Sequence, residues 1–311
     1  MLSIRTIIAG VCMTASSLFA DVTLQLNWKP EPQFGGFYAA DYKSAGVDVT
    51  VTPGGAGTPT VQMVGTGRVP YGIVSGDELV IARARGINVV ALFAVYQTNP
   101  QGIMTRASRG FQNIGDVFAA PGVLAMQQGL PYALFLKKKY GFDKLQIVPS
   151  PFGDLTAYRT RDAYAMQCFV TSEPFAAKKT GIEPKTFLIA DSGYNPYTTV
   201  LITTGDYLKA NEAEVKKVVE AVSKGWRAYI DAPADTNAVM QKLNPTMDDE
   251  TLTASAEAQK PLIETDETKT SGLGAMTLQR WQTLIDQLKD LGVIDKPVDA
   301  ASLFVDLRPK P

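Results

Sequence analysis

The segment LNWKPEPQFGGFYAA at residues 26–40 decides the fold that this sequence predicts. Just before it, apolar and polar residues alternate over residues 22–26, which is typical of a strand with one buried face. The two prolines of the segment prevent strand pairing and predict an extended loop. Gly35-Gly36 then allows either a ligand or another stretch of backbone to come close. A first strand that ends in such a loop predicts a small-molecule site on an open α/β sheet, and an ordinary strand–loop–helix corner is the alternative.

The first twenty residues predict a secretory signal peptide. Arg5 precedes an apolar run over residues 6–19, and Ala20 is the expected last residue before cleavage. The run is too short to span a membrane, and the residue before Cys12 is not the small one that lipidation requires. We therefore expect a periplasmic protein without a lipid anchor. Its mature chain keeps only Cys168, so it has no intramolecular disulfide.

The composition excludes several classes of function. The chain has 311 residues, a formal charge of -1 and no histidine. Its length is sufficient for two domains with cores of their own. Nucleic acid is not an expected partner, because the only basic cluster is Lys137-Lys138-Lys139 at a helix end. Without histidine the commonest general base and imidazole metal ligands are missing, so we expect no enzyme, no metal and no cofactor.

The order of predicted elements favours a two-lobed α/β fold. Two proline-bearing crossovers, Asn99-Pro100 and Asn195-Pro196, bracket a central α/β block. Such an inserted block, entered and left by two strands, is a hinge design for closing on a ligand. We therefore predict the following division: lobe one at residues 21–98 and 200–311, lobe two at 101–198, and hinges at 99–100 and about 192–199.

Three local patterns predict helix starts. Thr58 before Pro59 has the form of an N-cap. Ser75 and Glu78 have capping-box spacing, which leaves Asp77 free to face a ligand. A similar box is predicted at Asn211, with its partner three residues on. Residues 115–128, by contrast, show no clear strand pattern where an α/β lobe needs one.

The chain resembles the substrate-binding proteins of bacterial ABC importers, in the group that binds nitrate, sulfonates, taurine and thiamine-pyrimidine precursors. The matching segments are residues 26–40, 47–57, 74–79, 167–175 and 193–199, together with the C-terminal helix that runs from Arg280-Trp281 to Leu291-Gly292-Val293-Ile294. Asn-Trp…Gly-Phe-Tyr and Thr-Ser-Glu-Pro-Phe are fairly specific to the pyrimidine-precursor branch. The resemblance implies a two-lobed binding fold of type II, a ligand cleft between the lobes and delivery to a permease in the inner membrane. We expect a monomer.

The sequence also departs from the family pattern. Residues 38–47 look shorter than the family's first helix and loop. Residues 115–128 look as if they have lost a lobe-two strand and its glycine-rich turn. Pyrimidine-binding relatives often carry a histidine before Gly-Phe-Tyr, where this chain has Gln33 and Phe34.

The matched positions supply a set of candidate ligand contacts. The set comprises Asn27, Trp28, Tyr38, Gly55, Ser75, Gly76, Asp77, Glu173 and Tyr194. Aromatic members can stack on a flat ring, and carboxylates can accept hydrogen bonds from amino groups. Other roles remain open: Trp28 as core cover, Glu173 as a favourable helix N-terminal residue and Tyr194 as a filler of the hinge loop. The absence of arginine from the set favours a heterocycle over an inorganic anion, although a nest of N–H groups at 54–57 or an inward turn of Arg159 or Arg161 would accept an anion.

Two classes of function follow from these residues. The first is a non-catalytic binding protein for a thiamine-precursor pyrimidine or a similar heterocycle, with sulfonate, taurine or nitrate as the alternative ligand. The second is a secreted enzyme on the same fold. Some relatives make the thiamine pyrimidine with a histidine and a cysteine-rich iron site, and this chain has no histidine and only Cys168 in the matching region.

Overall fold

The computed structural model of the protein describes residues 22–150 and 152–309. The predicted signal peptide, with Arg5, Cys12 and Ala20, therefore lies outside the described residues. Within these ranges the chain forms ten strands, thirteen α-helices and four short 3-10 turns. None of these helices combines the length and the apolar character that crossing a bilayer requires.

The strands form two sheets of five. Their bounds are β1 Val22–Gln25, β2 Val49–Thr52, β3 Tyr71–Val74, β4 Val89–Tyr96, β5 Gln101–Arg106, β6 Gly122–Ala125, β7 Leu145–Val148, β8 Tyr164–Phe169, β9 Pro184–Leu188 and β10 Thr198–Thr204. The first sheet has the order β2-β1-β3-β10-β4, and the second has the order β7-β6-β8-β5-β9. In each sheet the fourth strand alone is antiparallel to its neighbours. That strand, β10 or β5, is the first one the chain forms after crossing from the other sheet.

The helices surround both sheets. Their bounds are α1 Gly35–Ala39, α2 Thr60–Gly65, α3 Gly76–Ala84, α4 Ile114–Ala119, α5 Pro131–Tyr140, α6 Thr156–Thr160, α7 Glu173–Lys179, α8 Gly205–Ala210, α9 Glu212–Asp231, α10 Ala234–Leu243, α11 Asp249–Ile263, α12 Asp266–Ser271 and α13 Leu278–Asp290. The predicted two-lobed α/β fold is therefore confirmed.

The structure contradicts the expected loss of a strand in residues 115–128. Strand β6 lies there, hydrogen-bonded between β7 and β8 in parallel register. Its four residues, Gly-Val-Leu-Ala, are too few to show a pattern in the sequence. At Gly122 a Cβ atom would lie 2.5 Å from the carbonyl oxygen of Ala163, so the glycine is needed for close strand approach.

Two of the predicted caps are wrong. The hydroxyl of Thr58 accepts a hydrogen bond from the backbone N–H of Gly55 (2.9 Å), and α2 begins two residues later. The side chain of Asn211 donates to the carbonyl of Tyr207 (3.1 Å) instead of capping α9. In both places the side chain stabilises the preceding turn, an alternative that short polar residues readily adopt.

The Gly35-Gly36 pair serves the contact between α1 and α9. A Cβ atom on Gly35 would lie 2.1 Å from the ring of Tyr229, and one on Gly36 would lie 2.2 Å from Trp226. Gly225 on the facing helix is as tight, since its Cβ atom would lie 2.3 Å from the carbonyl oxygen of Gly36. The close approach that these glycines permit is therefore to another helix. It fixes the end of the loop that follows β1.

The two crossovers between the sheets lie side by side. The backbone N–H of Asn99 donates to the side-chain carbonyl of Asn195 (2.8 Å). The side-chain amide of Asn195 donates in turn to the carbonyl of Gln97 (3.3 Å). The lobe boundaries themselves stay a prediction, and β10 begins two residues before the predicted boundary at 200.

Candidate functional site

A cavity of about 880 Å³ opens between the two sheets. It is lined by the segments that follow β1, β2 and β3 of the first sheet and β6, β7 and β8 of the second, and both crossovers contribute as well. These segments all leave the carboxyl ends of mutually parallel strands, where open α/β sheets hold small molecules. The size falls within the usual range of ligand pockets. The loop quoted at the start of the sequence analysis thus forms one wall of this cavity.

The structure brings seven of the nine predicted contacts together in this cavity. They are Asn27, Trp28, Gly55, Ser75, Asp77, Glu173 and Tyr194. The other two, Tyr38 and Gly76, do not line it.

Tyr38 lies on α1, against the core of the first lobe. Its hydroxyl is buried without a hydrogen-bond partner among the described residues, and burial raises its pKa to about 12. The placement of Tyr38 follows from the packing of α1 on α9. Gly76 is a packing position: its N–H donates to the carbonyl of Tyr197 (2.7 Å), and a Cβ atom would lie 2.9 Å from that same oxygen.

Asp77 lines the cavity but is not free, contrary to the prediction. Its carboxylate accepts hydrogen bonds from the backbone N–H of Glu78 (2.9 Å), from the hydroxyl of Ser75 and from the hydroxyl of Tyr194 (3.1 Å). Glu78 accepts from the backbone N–H of Ser75 (2.9 Å), as the capping box predicts. Because Tyr194 also packs on Phe135 at 5.3 Å between ring centroids, it links Asp77 in α3 to α5 of the second lobe.

Two aromatic rings from opposite lobes pack against each other at the cavity. Trp28 follows β1 in the first sheet, and Phe152 follows β7 in the second. Their ring centroids are 6.1 Å apart with an angle of 34° between the planes. Phe152 is 51% exposed, so its ring is available to a ligand. Sequence reasoning missed Phe152, whose only signal is a Pro-Phe-Gly turn directly after a strand.

Two carboxylates face the same space. Glu31 accepts a hydrogen bond from the indole Nε1–H of Trp28 (3.2 Å), and Glu173 accepts one from the backbone N–H of Phe169 (2.9 Å). Burial raises the pKa of Glu31 from 4.5 to about 7, and the charge of Glu173 adds to the rise. Burial also raises the pKa of Glu173, against hydrogen bonds from backbone N–H groups that lower it. Glu31 was quoted in the decisive segment but was not predicted as a contact, because two flanking prolines marked it only as loop.

A polar floor comes from the second lobe. The side-chain amide of Gln167 donates to the side-chain oxygen of Gln127 (3.0 Å), and the backbone N–H of Gln127 donates to the side-chain oxygen of Gln167 (2.5 Å). The hydroxyl of Tyr132 donates to that same oxygen. These amides offer both donors and acceptors to a heterocycle. Gln127 was missed because it follows β6, the strand that the sequence did not reveal, whereas Gln167 lies within β8.

The cavity wall carries little free positive charge. Lys29 is exposed, and Lys179 forms salt bridges with Asp248 (2.5 Å) and Glu250 (3.1 Å). Among the described residues that line the cavity there is no arginine, and Arg159 and Arg161 lie elsewhere. In the glycine-rich turn the N–H of Gly54 donates to the carbonyl of Trp28 and that of Gly55 donates to the hydroxyl of Thr58, so two of the four N–H groups of the predicted nest are already bonded.

Comparison with known proteins identifies the family. The family model described as NMT1/THI5 like matches residues 31–236, which is more than half of the chain. This protein belongs to the NMT1/THI5-like family. The resemblance drawn from the sequence is therefore confirmed.

Individual relatives of this family member are distant. The riboflavin-binding protein RibY of Chloroflexus aurantiacus is 21% identical over 317 residues, covering 96% of this chain and 88% of RibY. The periplasmic aliphatic sulphonate binding protein SsuA from Escherichia coli has a TM-score of 0.67 at 14% identity, with 94% of each chain covered. The desulfurization enzyme DSZB has a TM-score of 0.58 at 15% identity, covering 92% of this chain and 96% of the enzyme. These structural likenesses show a shared fold.

In this NMT1/THI5-like protein, Gln33 lines the cavity and Phe34 is buried in the core. Cys168 also lines the cavity, but its thiol is buried, which raises its pKa and disfavours the thiolate. Within residues 22–150 and 152–309, no group of three or more acidic or cysteine side chains is placed to hold a metal ion.

Proposed function

We propose that this protein is the extracytoplasmic solute-binding component of an ABC importer, and that its ligand is a thiamine-precursor pyrimidine or a similar flat, amino-bearing heterocycle. Family membership and the cavity between two lobes support the binding role. The protein would be exported by the predicted signal peptide and deliver its ligand to a permease in the inner membrane. Residues 21–98 with 200–311 and residues 101–198 would form the lobes that close on it.

One observation carries the choice of ligand class. The cavity combines two aromatic rings, Trp28 and Phe152, with two carboxylates, Glu31 and Glu173, that form no salt bridge among the described residues. Aromatic rings stack on a flat heterocycle, and carboxylates accept hydrogen bonds from its amino groups. A small anion would meet unpaired negative charge instead, at a cost in desolvation and repulsion.

The alternative ligand is a sulfonate, taurine or nitrate. The comparisons support it as well as they support a pyrimidine, since the aliphatic sulphonate binding protein SsuA shares the fold. Anion sites are usually built from guanidinium groups or several converging N–H groups. No guanidinium group lies on the described cavity wall, and the N–H of Gly55 there is already bonded to Thr58. The charges in the cavity therefore favour the heterocycle.

An enzyme on this fold is the second class, because DSZB is an enzyme of similar structure. The cavity of this chain has no histidine, and its cysteine is held as a buried thiol. These features favour a binder. Incubation of a bound heterocycle with the purified protein, followed by mass spectrometry, distinguishes the classes, since a binder returns the compound unchanged.

Calorimetry tests the ligand class. We expect 4-amino-5-hydroxymethyl-2-methylpyrimidine or riboflavin to bind, and taurine and nitrate not to bind. Glu173→Gln should weaken binding of the aminopyrimidine by about 1–3 kcal/mol, because it replaces a charged acceptor by a neutral one. Glu257→Gln on the outer side of α11, whose carboxylate pairs only with Lys260 among the described residues, is the matched control. Tight binding of taurine or nitrate, with Glu173→Gln neutral, would contradict the proposal.

A further inference from the structure

Glu31 and Glu173 approach the cavity from opposite lobes. Glu31 lies in the loop after β1, and Glu173 begins α7 after β8. The Trp28 indole donates to Glu31 and the Phe169 backbone N–H donates to Glu173, each from the same lobe as the carboxylate. Neither takes part in a salt bridge among the described residues, although twelve such bridges occur there. Two carboxylates without a counter-ion therefore share one ligand cavity.

The surroundings of Glu31 make its protonation state sensitive to the charge of a ligand that enters the cavity. The groups that face it are Glu173 from α7, Lys29 from its own loop, the Trp28 indole and the hydroxyl of Tyr96 at the end of β4. Lys29 is exposed to solvent and lowers the pKa of Glu31 less than burial and Glu173 raise it. The other lysine on the cavity wall, Lys179, is already bonded to Asp248 and Glu250. Neither lysine of the described cavity wall forms a salt bridge with Glu31 or Glu173, so a direct ion pair with these carboxylates is left to the ligand.

We propose that Glu31 and Glu173 act together as the residues that select the ligand by charge, and that they require a cationic or N–H-rich edge on it. The inference rests on the proposed function and adds a residue, Glu31, that the family motifs do not mark. When a cationic edge enters, the proton held by the protonated fraction of Glu31 passes to the buffer, and two charge-assisted contacts replace it. A ligand edge that carries only oxygen lone pairs offers no hydrogen-bond donor to the carboxylates of Glu31 and Glu173.

The position of Trp28 supports this assignment. Its indole N–H is held by Glu31, so the carboxylate fixes the orientation of the ring on which the ligand stacks. A flat ring stacked on that face presents its exocyclic groups at its rim, next to the carboxylate. Glu31 thus both positions the aromatic surface and contacts the rim of a stacked ring.

Calorimetry at pH 7 with 4-amino-5-hydroxymethyl-2-methylpyrimidine, run in phosphate and in Tris, tests the pair. For the unmodified protein we expect a binding heat that differs between the buffers, because a proton is released. Glu31→Gln should weaken this probe about tenfold to a hundredfold and remove the buffer dependence. Glu31→Asp should retain part of the affinity and part of the buffer dependence. Glu257→Gln should change neither of these two quantities. The 4-hydroxy analogue of the probe should bind weakly to all four proteins.

Three outcomes would overturn the inference, and they separate it from the proposed function. Equal affinity of the aminopyrimidine for Glu31→Gln and for the unmodified protein overturns the charge selection but leaves a heterocycle importer. Tight binding of riboflavin that Glu31→Gln does not weaken likewise overturns the charge selection and leaves a heterocycle importer. Binding of taurine alone overturns both. If Glu31→Gln does not fold, Glu173→Gln and the pH dependence of the unmodified protein between pH 5 and pH 8 provide the same readout.

Discussion

At the scale of single residues, Glu31 links the site to the stability of the whole chain. Its pKa is about 7 in the folded protein against 4.5 ordinarily. Between these pH values the folded chain keeps a proton that the unfolded chain has released. The stabilisation is therefore fully present below pH 4.5 and is lost as the pH rises through 7.

Glu31→Gln should remove this dependence. We expect the free energy of unfolding of the variant, relative to the unmodified protein, to rise by about 2 kcal/mol between pH 4.5 and pH 7.5. Each unit of pKa difference would contribute about 1.36 kcal/mol if it were fully expressed. We expect a smaller total because the side chain borders an open cavity, where solvent screens its charge. Urea denaturation at four pH values measures it. Parallel curves for the two proteins would show that Glu31 does not titrate in this range.

A second residue-scale prediction concerns neighbouring glycines in the turn after β2. A Cβ atom on Gly54 would lie 2.2 Å from the carbonyl oxygen of Leu26, whereas one on Gly55 meets no heavy atom within 4 Å. Gly54→Ala should therefore lower the free energy of unfolding by about 2 kcal/mol. Gly55→Ala should stay within about 0.5 kcal/mol. Thermal unfolding of both variants tests this. Equal midpoints would mean that the turn accommodates the added methyl group without loss of stability.

At the scale of elements, α7 and α11 join the lobes at the edge of the cavity. Lys179 ends α7, and Asp248 is the N-cap of α11, where its side chain also accepts from the N–H of Thr251 (2.9 Å). The salt bridge of Lys179 lowers the pKa of Asp248 to about 2. Helix α7 packs on the second sheet and α11 packs on the first, so this ion pair links the two lobes. It therefore favours an arrangement in which the lobes are closed on the cavity.

Lys179→Ala should shift the protein towards an open arrangement. We expect a larger radius of gyration in small-angle X-ray scattering at low salt, and no difference from the unmodified protein at 1 M salt, where the Debye length is about 3 Å. Because the pair is exposed and solvent screens it, the effect on ligand affinity should stay below about fivefold. Lys224→Ala, which removes an exposed pair within α9, is the control. A low-salt radius equal to that of the control would contradict the role of the pair.

Element-scale features were predictable where the local pattern was long. The eight apolar residues of β4 and the amphipathic stripes of α9 and α13 are patterns long enough to be recognised in the sequence. Strand β6 was not, because Gly-Val-Leu-Ala lacks the alternation that marks β1, and its neighbours in the sheet specify it. The caps expected at Thr58 and Asn211 failed for a related reason: each side chain had a competing partner in the preceding turn.

At the scale of the whole molecule, the site was predictable in part. Asn27 and Trp28 sit at the end of a recognisable strand, and Glu173 belongs to a motif, so their placement on the cavity follows from topology. Phe152 and Gln127 became contacts only through tertiary packing, which brings segments far apart in sequence to one wall. Tyr38 was expected at the cavity from its motif, but the rigid contact between α1 and α9 directs it to the core.

The burial of aromatic residues gives this protein an optical property. Of its three tryptophans, Trp226 and Trp281 are fully buried in the core, and only Trp28 borders the cavity. Changes in indole emission on ligand addition should therefore arise from one residue. We expect acrylamide to quench a single class of indole, and a stacked heterocycle to protect it. Trp28→Phe should abolish both signals, whereas residual quenching in that variant would locate them elsewhere. The chain thus carries an intrinsic fluorophore at the point where its cargo is expected, and a titration without any added dye would read out occupancy.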